Sequence, residues 1–278
     1  MSLVPNVRLN NGVEIPQLGF GVFQIKPEDT VEAVSTALDL GYRHIDTAQM
    51  YGNEKQVGEA IAASGIDRSD LFVTTKLNNG NHATEAALRS LDQSLADLGL
   101  DQVDLFLIHW PLPTVSDYVE TWRALERAYA DGKARSIGLS NFQPHHIRKL
   151  HAETEVRPAV NQIELHPYLT QDELRAFDAE HQIATEAWSP IAQGAVLDDP
   201  TIGSVATAHG KTPAQAVLRW HLQLGNIVFP KSVTPARMRE NFEIFDFELT
   251  DAELGLISAL NRNERTGPDP ETVDYIPS

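Results

Sequence analysis

The apolar run Leu71-Phe72-Val73-Thr74-Thr75 closes on Lys76, and Val103-Asp104-Leu105-Phe106-Leu107-Ile108 closes on His109. Between them, over residues 84–98, Ala87, Leu88, Leu91, Leu95 and Leu98 recur at helical spacing. Short apolar runs rich in β-branched and aromatic residues read as buried strands, and the intervening stripe reads as a helix packed on one face. A strand–helix–strand unit of this length returns the chain in the same direction, so the two strands belong to a parallel sheet.

The same alternation extends both ways. Further apolar runs occupy residues 18–22, 44–47, 134–139, 159–163, 183–188 and 226–230, making eight predicted strands. Helical periodicity occupies residues 31–40, 117–130, 171–181, 212–225 and 235–245. Thr250 followed by Glu253 has the spacing of a capping box and opens a last helix to about Leu260. Before the first strand, residues 7–9 and 13–15 flank Asn10-Asn11-Gly12, the pattern of a β-hairpin. No Gly/Ser linker or low-complexity tract divides the chain, and residues 1–278 read as one domain.

A doubly wound sheet would show the same alternation, but it would carry a Gly-rich dinucleotide turn. Gly19-Phe20-Gly21 opens such a turn, yet Gln24 stands where its third glycine belongs. The expected fold is therefore a closed (β/α)₈ TIM barrel with an N-terminal hairpin, a C-terminal helix and a tail over residues 262–278 that lies across one face.

Composition narrows the functional classes. Lys plus Arg number 22 against 39 Asp plus Glu, a formal charge of −17. Such a surface repels phosphate backbones and argues against nucleic-acid binding. It also requires a local cation cluster wherever a phosphorylated cofactor sits. With no cysteine, disulfides, thiolate metal sites and a Cys nucleophile are excluded. The first ten residues lack a basic cluster and an apolar core, and no apolar run approaches the roughly 20 residues a membrane span needs. A cytoplasmic protein, away from membranes, is expected. No long exposed apolar stripe is evident, and a monomer is expected.

Barrel enzymes keep their chemistry at the C-terminal ends of the strands. There the chain places Asp46 at the second strand, Tyr51 in the loop after it, Lys76 at the third and His109 at the fourth. Singly, each has a structural reading: a capping aspartate, a packed ring, a solvated lysine, a satisfied core histidine. Together, on consecutive strands at one rim, they form a candidate catalytic constellation. Lys231, Ser232 and Arg237, just past the eighth strand, supply the cation cluster that the acidic background demands. His145, His146 and His151 have no metal-site spacing. The first two are adjacent on a helix and expected to point apart on a solvated face, so no metal is expected.

The motifs also carry a resemblance. Residues 41–48 (GYRHIDTA) with Tyr51-Gly52-Asn53-Glu54, Thr74-Thr75-Lys76, residues 104–111 (DLFLIHWP), residues 137–142 (IGLSNF), residues 158–167 (PAVNQIELHP) and Lys231-Ser232 with Arg237, Glu240 and Asn241 resemble the aldo-keto reductases in order along nearly the whole chain. Among them, bacterial 2,5-diketo-gluconate reductases and small prokaryotic aldehyde reductases are the most similar. The resemblance implies NADPH-dependent reduction of aldehydes, ketones or dicarbonyls, including keto-sugar acids and methylglyoxal-like compounds. It assigns Tyr51 as general acid, Lys76 and Asp46 as its support, and His109 as the group orienting the substrate. It also gives Ser140, Asn141 and Gln162 to the nicotinamide carboxamide, Trp188 to the ring face, and Ser189, Ile191, Phe229 and Val233 to the rest of the groove. Lys231, Ser232 and Arg237 would meet the 2′-phosphate, with Glu240 and Asn241 on the adenine side.

Chemically the roles are coherent. A phenol near pKa 10 holds its proton at neutral pH, and a lysine beside it should lower that value by roughly 1–3 units. Phe23 and Trp110 are candidate pocket walls. Leu77-Asn78 follows the lysine where relatives often carry Leu-Trp, which leaves the pocket more open or more polar. The competing reading is a cofactor-binding regulatory or structural protein, which would bind NADPH without steady turnover.

Overall fold

The computed structural model describes residues 4–277. Residues 1–3 of the N-terminal segment and Ser278 of the tail lie outside the described residues. The hairpin strands are β1 (Asn6–Arg8) and β2 (Glu14–Pro16), antiparallel with Val7 opposite Ile15. The barrel strands are β3 (Phe20–Gly21), β4 (His44–Asp46), β5 (Phe72–Leu77), β6 (Val103–Ile108), β7 (Ala134–Ser140), β8 (Val160–Glu164), β9 (Ala184–Trp188) and β10 (Ile227–Val228). They pair in parallel in sequence order from β3 to β10.

The ring closes at a short seam. Leu18 bridges Val228 in parallel, Val228 N donates to Gln17 O at 3.0 Å, and Gly19 N donates to Val228 O at 2.7 Å. Here the glycines of the incomplete fingerprint find their use. A Cβ on Gly21 would stand 2.7 Å from the carbonyl oxygen of Phe229, so the absent side chain lets the first strand approach the segment after the last.

The helices are α1 (Pro27–Leu40), α2 (Glu54–Ala63), α3 (Thr84–Leu98), α4 (Tyr118–Ala130), α5 (Pro144–Glu153), α6 (Asp172–Glu180), α7 (Pro200–Ala208), α8 (Pro213–Gln223), α9 (Pro235–Phe242) and α10 (Asp251–Ser258). α3 and β6 match the sequence reading to the residue. α10 opens with the capping box of Thr250 and Glu253, each side chain bonded to the other's backbone N–H. α1 begins four residues earlier than its apolar stripe, with Pro27 in its first turn, where the missing N–H costs nothing. α2, α5 and α7 escape the periodicity reading. α2 buries Glu54 and Gly58 among Val57, Ala60 and Ile61, and α7 is built from Thr, Gly, Ser and Ala around Ile202 and Val205.

Two apolar layers result. Strand residues such as Val73, Phe106 and Ile137 face outward and pack against helical residues such as Leu91, Trp122 and Ile147. Inside the barrel a smaller cluster of Phe72, Leu105, Leu107, Val160 and Ile227 meets Leu9 and Ile15 of the hairpin. The hairpin thus plugs the N-terminal end. Asn10 Nδ2 ties it to Pro158 O at 2.8 Å, and Asn11 Nδ2 to Arg135 O at 3.0 Å. Of the Asn-Gly pair only Gly12 takes a positive φ, at 86°. Apolar contact therefore fills the bottom of the barrel, and its polar interior lies toward the opposite mouth.

The two adjacent histidines differ from expectation. His145 and His146 do not point apart: their ring centroids lie 4.0 Å from each other, and His146 is buried between Tyr118 and Phe142. The cause is local. His146 is the third residue of α5, and its Nδ1 turns back to accept from Gln143 N at 3.2 Å, a capping contact that folds the ring inward. His145 faces Glu271 of the tail at 3.5 Å.

Candidate active site

At the C-terminal mouth, β4, β5 and β6 deliver Asp46, Lys76 and His109 side by side. In each strand alternate residues face the barrel interior, so His44 lies beneath Asp46 and Thr74 beneath Lys76. Burial and the nearby Lys76 charge, against a bond to Pro16 O, push His44 down to about 3, which keeps this lower rung neutral.

Lys76 is wholly buried, and its ammonium reaches three oxygens. It donates to Asp46 Oδ1 at 2.6 Å, to Thr47 O at 2.9 Å and to Tyr51 Oη at 3.2 Å. Burial would lower its pKa, but the charges of Asp46 and Tyr51 outweigh burial and hold the amine above its ordinary range. Burial pushes the Asp46 carboxyl up, while Lys76 and the Gln162 amide oppose it. At 2.6 Å the two form a buried ion pair.

Tyr51 departs from the sequence expectation. Burial raises its pKa, Asp46 raises it further, and the lysine counters only part of that. The structure therefore holds the phenol proton more tightly than a free tyrosine would. Desolvation of the phenol outweighs the neighbouring charge.

His109 stands at the end of β6, its ring 5.8 Å from Tyr51 in an edge-to-face arrangement. Burial, reinforced by Lys76, lowers its pKa well below 6.5, so the imidazole is neutral at physiological pH. Its Nδ1 has no hydrogen-bond partner among the described residues. The rim around it is aromatic: Phe23, half-exposed, lies 5.0 Å from Tyr51, and Trp110 lies 6.5 Å from Trp188. Both expected pocket walls thus stand beside the constellation.

Beyond β6, the residues expected around the nicotinamide are brought together as well. Trp188 Nε1 donates to Asn141 Oδ1 at 2.8 Å, and Asn141 Nδ2 donates to His109 O at 2.9 Å. Ser140 Oγ donates to the main-chain oxygen of Gln162 at 2.9 Å. Asn141 and Ser189 sit at φ of 66° and 48°, left-handed conformations at the ends of β7 and β9. Such backbone costs about 1–3 kcal/mol per residue and persists where the surroundings demand it, commonly at binding sites. Ile191 is half-buried against the core. Phe229 is buried, 6.2 Å from His44, and belongs more to the seam than to an open groove.

The polar segment past β10 divides. Ser232 Oγ accepts from Thr234 N at 3.0 Å and caps the turn into α9. Glu240 accepts from Thr212 Oγ1 at 2.7 Å, and Asn241 is buried beside it on α9. Val233 is exposed. Lys231 and Arg237 are exposed and have neither hydrogen-bond nor ion-pair partners among the described residues. Two unpaired cations around a helix start, in a chain of charge −17, fit a phosphate group.

Three features escaped the sequence reading. The main-chain oxygen of Thr47 as a lysine ligand leaves no side-chain signature. Glu186, in β9, accepts from the Gln162 amide that also serves Asp46. Its signal was a carboxylate in β9 two residues before Trp188, hence on the same face as that ring. Glu164, at the end of β8, is fully buried and holds the tail. Its carboxylate accepts from Thr266 N at 2.5 Å, from Thr266 Oγ1 at 2.6 Å and from Gly267 N at 3.2 Å. Gly267 rests on Trp188, where a Cβ would come within 2.4 Å of the indole. Asn79 Nδ2 then binds Tyr275 O at 2.8 Å, so the tail crosses the mouth from β8 to the loop after β5.

Comparison with known proteins agrees with this geometry. The model of the Aldo/keto reductase family matches residues 17–262. An aldo-keto reductase of Mycobacterium sp. (strain JLS) is 54% identical over 98% of both chains. The methylglyoxal reductase DkgA of Escherichia coli (strain K12) is 48% identical over 95% of this chain and 96% of its own. The crystal structure of a Gox0644 mutant in complex with NADPH superposes with a TM-score of 0.94 at 42% identity, covering 98% of this chain and 99% of the other. With the barrel, its ordered motifs and these relatives in agreement, the chain belongs to the aldo/keto reductase family.

Proposed function

We propose that this protein reduces small aldehydes, ketones or dicarbonyls to alcohols with NADPH, and that Tyr51 is the proton donor. One observation carries the assignment of the proton. An ammonium has three hydrogens, and Lys76 directs them at Asp46, Thr47 and Tyr51. Tyr51 Oη therefore accepts from the lysine and keeps its own hydrogen for a ligand.

NADPH, when bound, supplies the hydride that adds to the carbonyl carbon. The chain's residues do the rest. Neutral His109 offers an N–H to the carbonyl oxygen and fixes its position. Tyr51 gives that oxygen its proton, and Lys76 stabilises the phenolate left behind. Asp46 keeps the lysine charged and in place. Trp188 presents a flat apolar face, while Ser140, Asn141 and Gln162 form the polar edge beside it. Lys231 and Arg237 would meet the 2′-phosphate.

The similarity to a methylglyoxal reductase makes methylglyoxal the first substrate to try, followed by keto-sugar acids and simple aldehydes. Steady NADPH oxidation with any of them is the expected result. Binding of NADPH without turnover across the panel would instead indicate a regulatory or structural protein.

Arg237→Ala tests the phosphate site separately. Loss of one charge-assisted hydrogen bond of about 1.5–3 kcal/mol should weaken NADPH by roughly 10- to 150-fold while NADH changes little. Equal loss for both cofactors, measured by fluorescence titration, would remove Arg237 from this role.

A further inference from the structure

Glu186 lies beneath the mouth, fully buried in β9, and the reaction as derived above makes no use of it. Its Oε2 accepts from Gln162 Nε2 at 2.7 Å, and its Oε1 has no partner among the described residues. The same Gln162 nitrogen donates to Asp46 Oδ2 at 2.9 Å. A side-chain amide has two N–H hydrogens and one carbonyl oxygen, of nearly equal shape at either end. What decides which end faces a ligand is the hydrogen-bond network around it.

Here both hydrogens face carboxyl oxygens. The main chain of Gln162 is fixed as well, its carbonyl accepting from Ser140 Oγ at 2.9 Å and from Asn141 N at 2.8 Å. The side-chain carbonyl oxygen of Gln162 has no hydrogen-bond partner among the described residues, and it is not one of the buried unpaired atoms. It is an acceptor left unpaired on a residue whose amide meets Asp46 and whose main chain meets Ser140 and Asn141.

We infer that Glu186 is a positioning residue for the cofactor: with Asp46 it grips both hydrogens of the Gln162 amide, so that only the Gln162 carbonyl oxygen is offered to the carboxamide N–H of a nicotinamide. The inference rests on the NADPH reading above. Asp46 alone would satisfy one hydrogen and leave the amide free to swing about that bond. The second acceptor removes this freedom.

Burial, with the Asp46 charge adding to it, pushes the Glu186 carboxyl up to about 8, against the pull of Gln162 and Lys76. At neutral pH it is therefore largely uncharged. It accepts from the amide without placing a second full negative charge beside Asp46 and drawing Lys76 away from it.

The test compares NADP⁺ with its 3-acetylpyridine analogue, which replaces the carboxamide by an acetyl group and has no N–H to donate. Dissociation constants are measured by titration, without turnover. The wild-type protein should prefer NADP⁺ by roughly 2- to 13-fold, the worth of one neutral hydrogen bond. Glu186→Leu should shrink that preference toward unity, and Glu186→Gln, which can still offer an oxygen to the amide, should restore it.

An unchanged preference in Glu186→Leu would overturn the inference. Should that variant fail to fold, Glu186→Ala in the wild-type and Gln162→Met backgrounds decides the question. A loss of preference only where Gln162 is present supports the inference, and an equal effect in both backgrounds overturns it. Failure of the wild-type protein to bind either dinucleotide would overturn the NADPH reading and this inference with it. Binding of both with no preference would overturn the inference alone.

Discussion

Replacing Tyr51 by phenylalanine is expected to lower kcat for carbonyl reduction by about 10²–10⁴ while leaving the fold and NADPH affinity intact. The change removes one hydroxyl. The ring keeps its contacts with Phe23 at 5.0 Å and His109 at 5.8 Å, so the pocket wall survives. What disappears is the hydroxyl hydrogen that the Lys76 network leaves for a ligand. A loss of this size corresponds to roughly 3–5 kcal/mol of transition-state stabilisation. The pH profile gives a second reading of the same site. Burial raises the Tyr51 phenol and lowers His109 well below 6.5. Reduction by the wild-type protein should therefore show no inflection near 6.5; a change near 8 belongs to Glu186, and the phenol itself ionises above the ordinary tyrosine range. Near-native kcat in Tyr51→Phe at neutral pH would sink the assignment.

Lys76→Met should damage both stability and activity. Lys76 and Asp46 are both buried, and removing one partner leaves the other charge stranded. Breaking such a pair costs about 3–5 kcal/mol. At roughly 2–4 °C per kcal/mol for a large domain, Tm should fall by about 6–20 °C. Adding Asp46→Asn removes the stranded charge and should recover much of the Tm but none of the turnover. The pH dependence has a definite sign. The folded-state pKa of Lys76 is raised, so its contribution is complete below about pH 10, where the unfolded amine is protonated. It is lost only as pH rises through the folded value. A single variant as stable as the parent in a thermal melt would mean that the ion pair does not hold the mouth together.

The architecture was legible wherever burial is strictly periodic. β6 and α3 could be bounded to the residue because Leu105, Leu107, Leu91 and Leu95 repeat without interruption. The seam strands were overestimated. Residues 18–22 and 226–230 are apolar apart from Asn226, but only two residues of each pair as a strand, where Gly19 and Gly21 admit the neighbouring backbone. α2, α5 and α7 carry no continuous stripe: a carboxylate and a glycine interrupt the buried face of α2, a histidine that of α5, and small residues dominate α7. At the site, the constellation could be read because strand ends fix direction. Its electrostatics could not, because desolvation depends on neighbours far away in the chain. Tyr51 illustrates this, and so does His146, whose inward turn depends on a cap at Gln143. Glu164 was hidden for a related reason, since its partners Thr266 and Gly267 lie 102 and 103 residues further on.

The seam also separates the two halves of the site in chain distance. Asp46, Tyr51, Lys76 and His109 come from one contiguous stretch of neighbouring strands, whereas Lys231 and Arg237 arrive from beyond β10. Joining Leu18 to Val228 is among the least local contacts in the molecule, but loop-closure entropy grows only by about 0.6 kcal/mol per doubling of length. The free-energy penalty for that distance is therefore small, and the kinetic consequence is larger, because long-range parallel pairings form slowly. The cluster of Asp46, Tyr51, Lys76 and His109 can assemble early from near neighbours, while the cations beyond β10 come into register only when the first and last strands of the barrel meet.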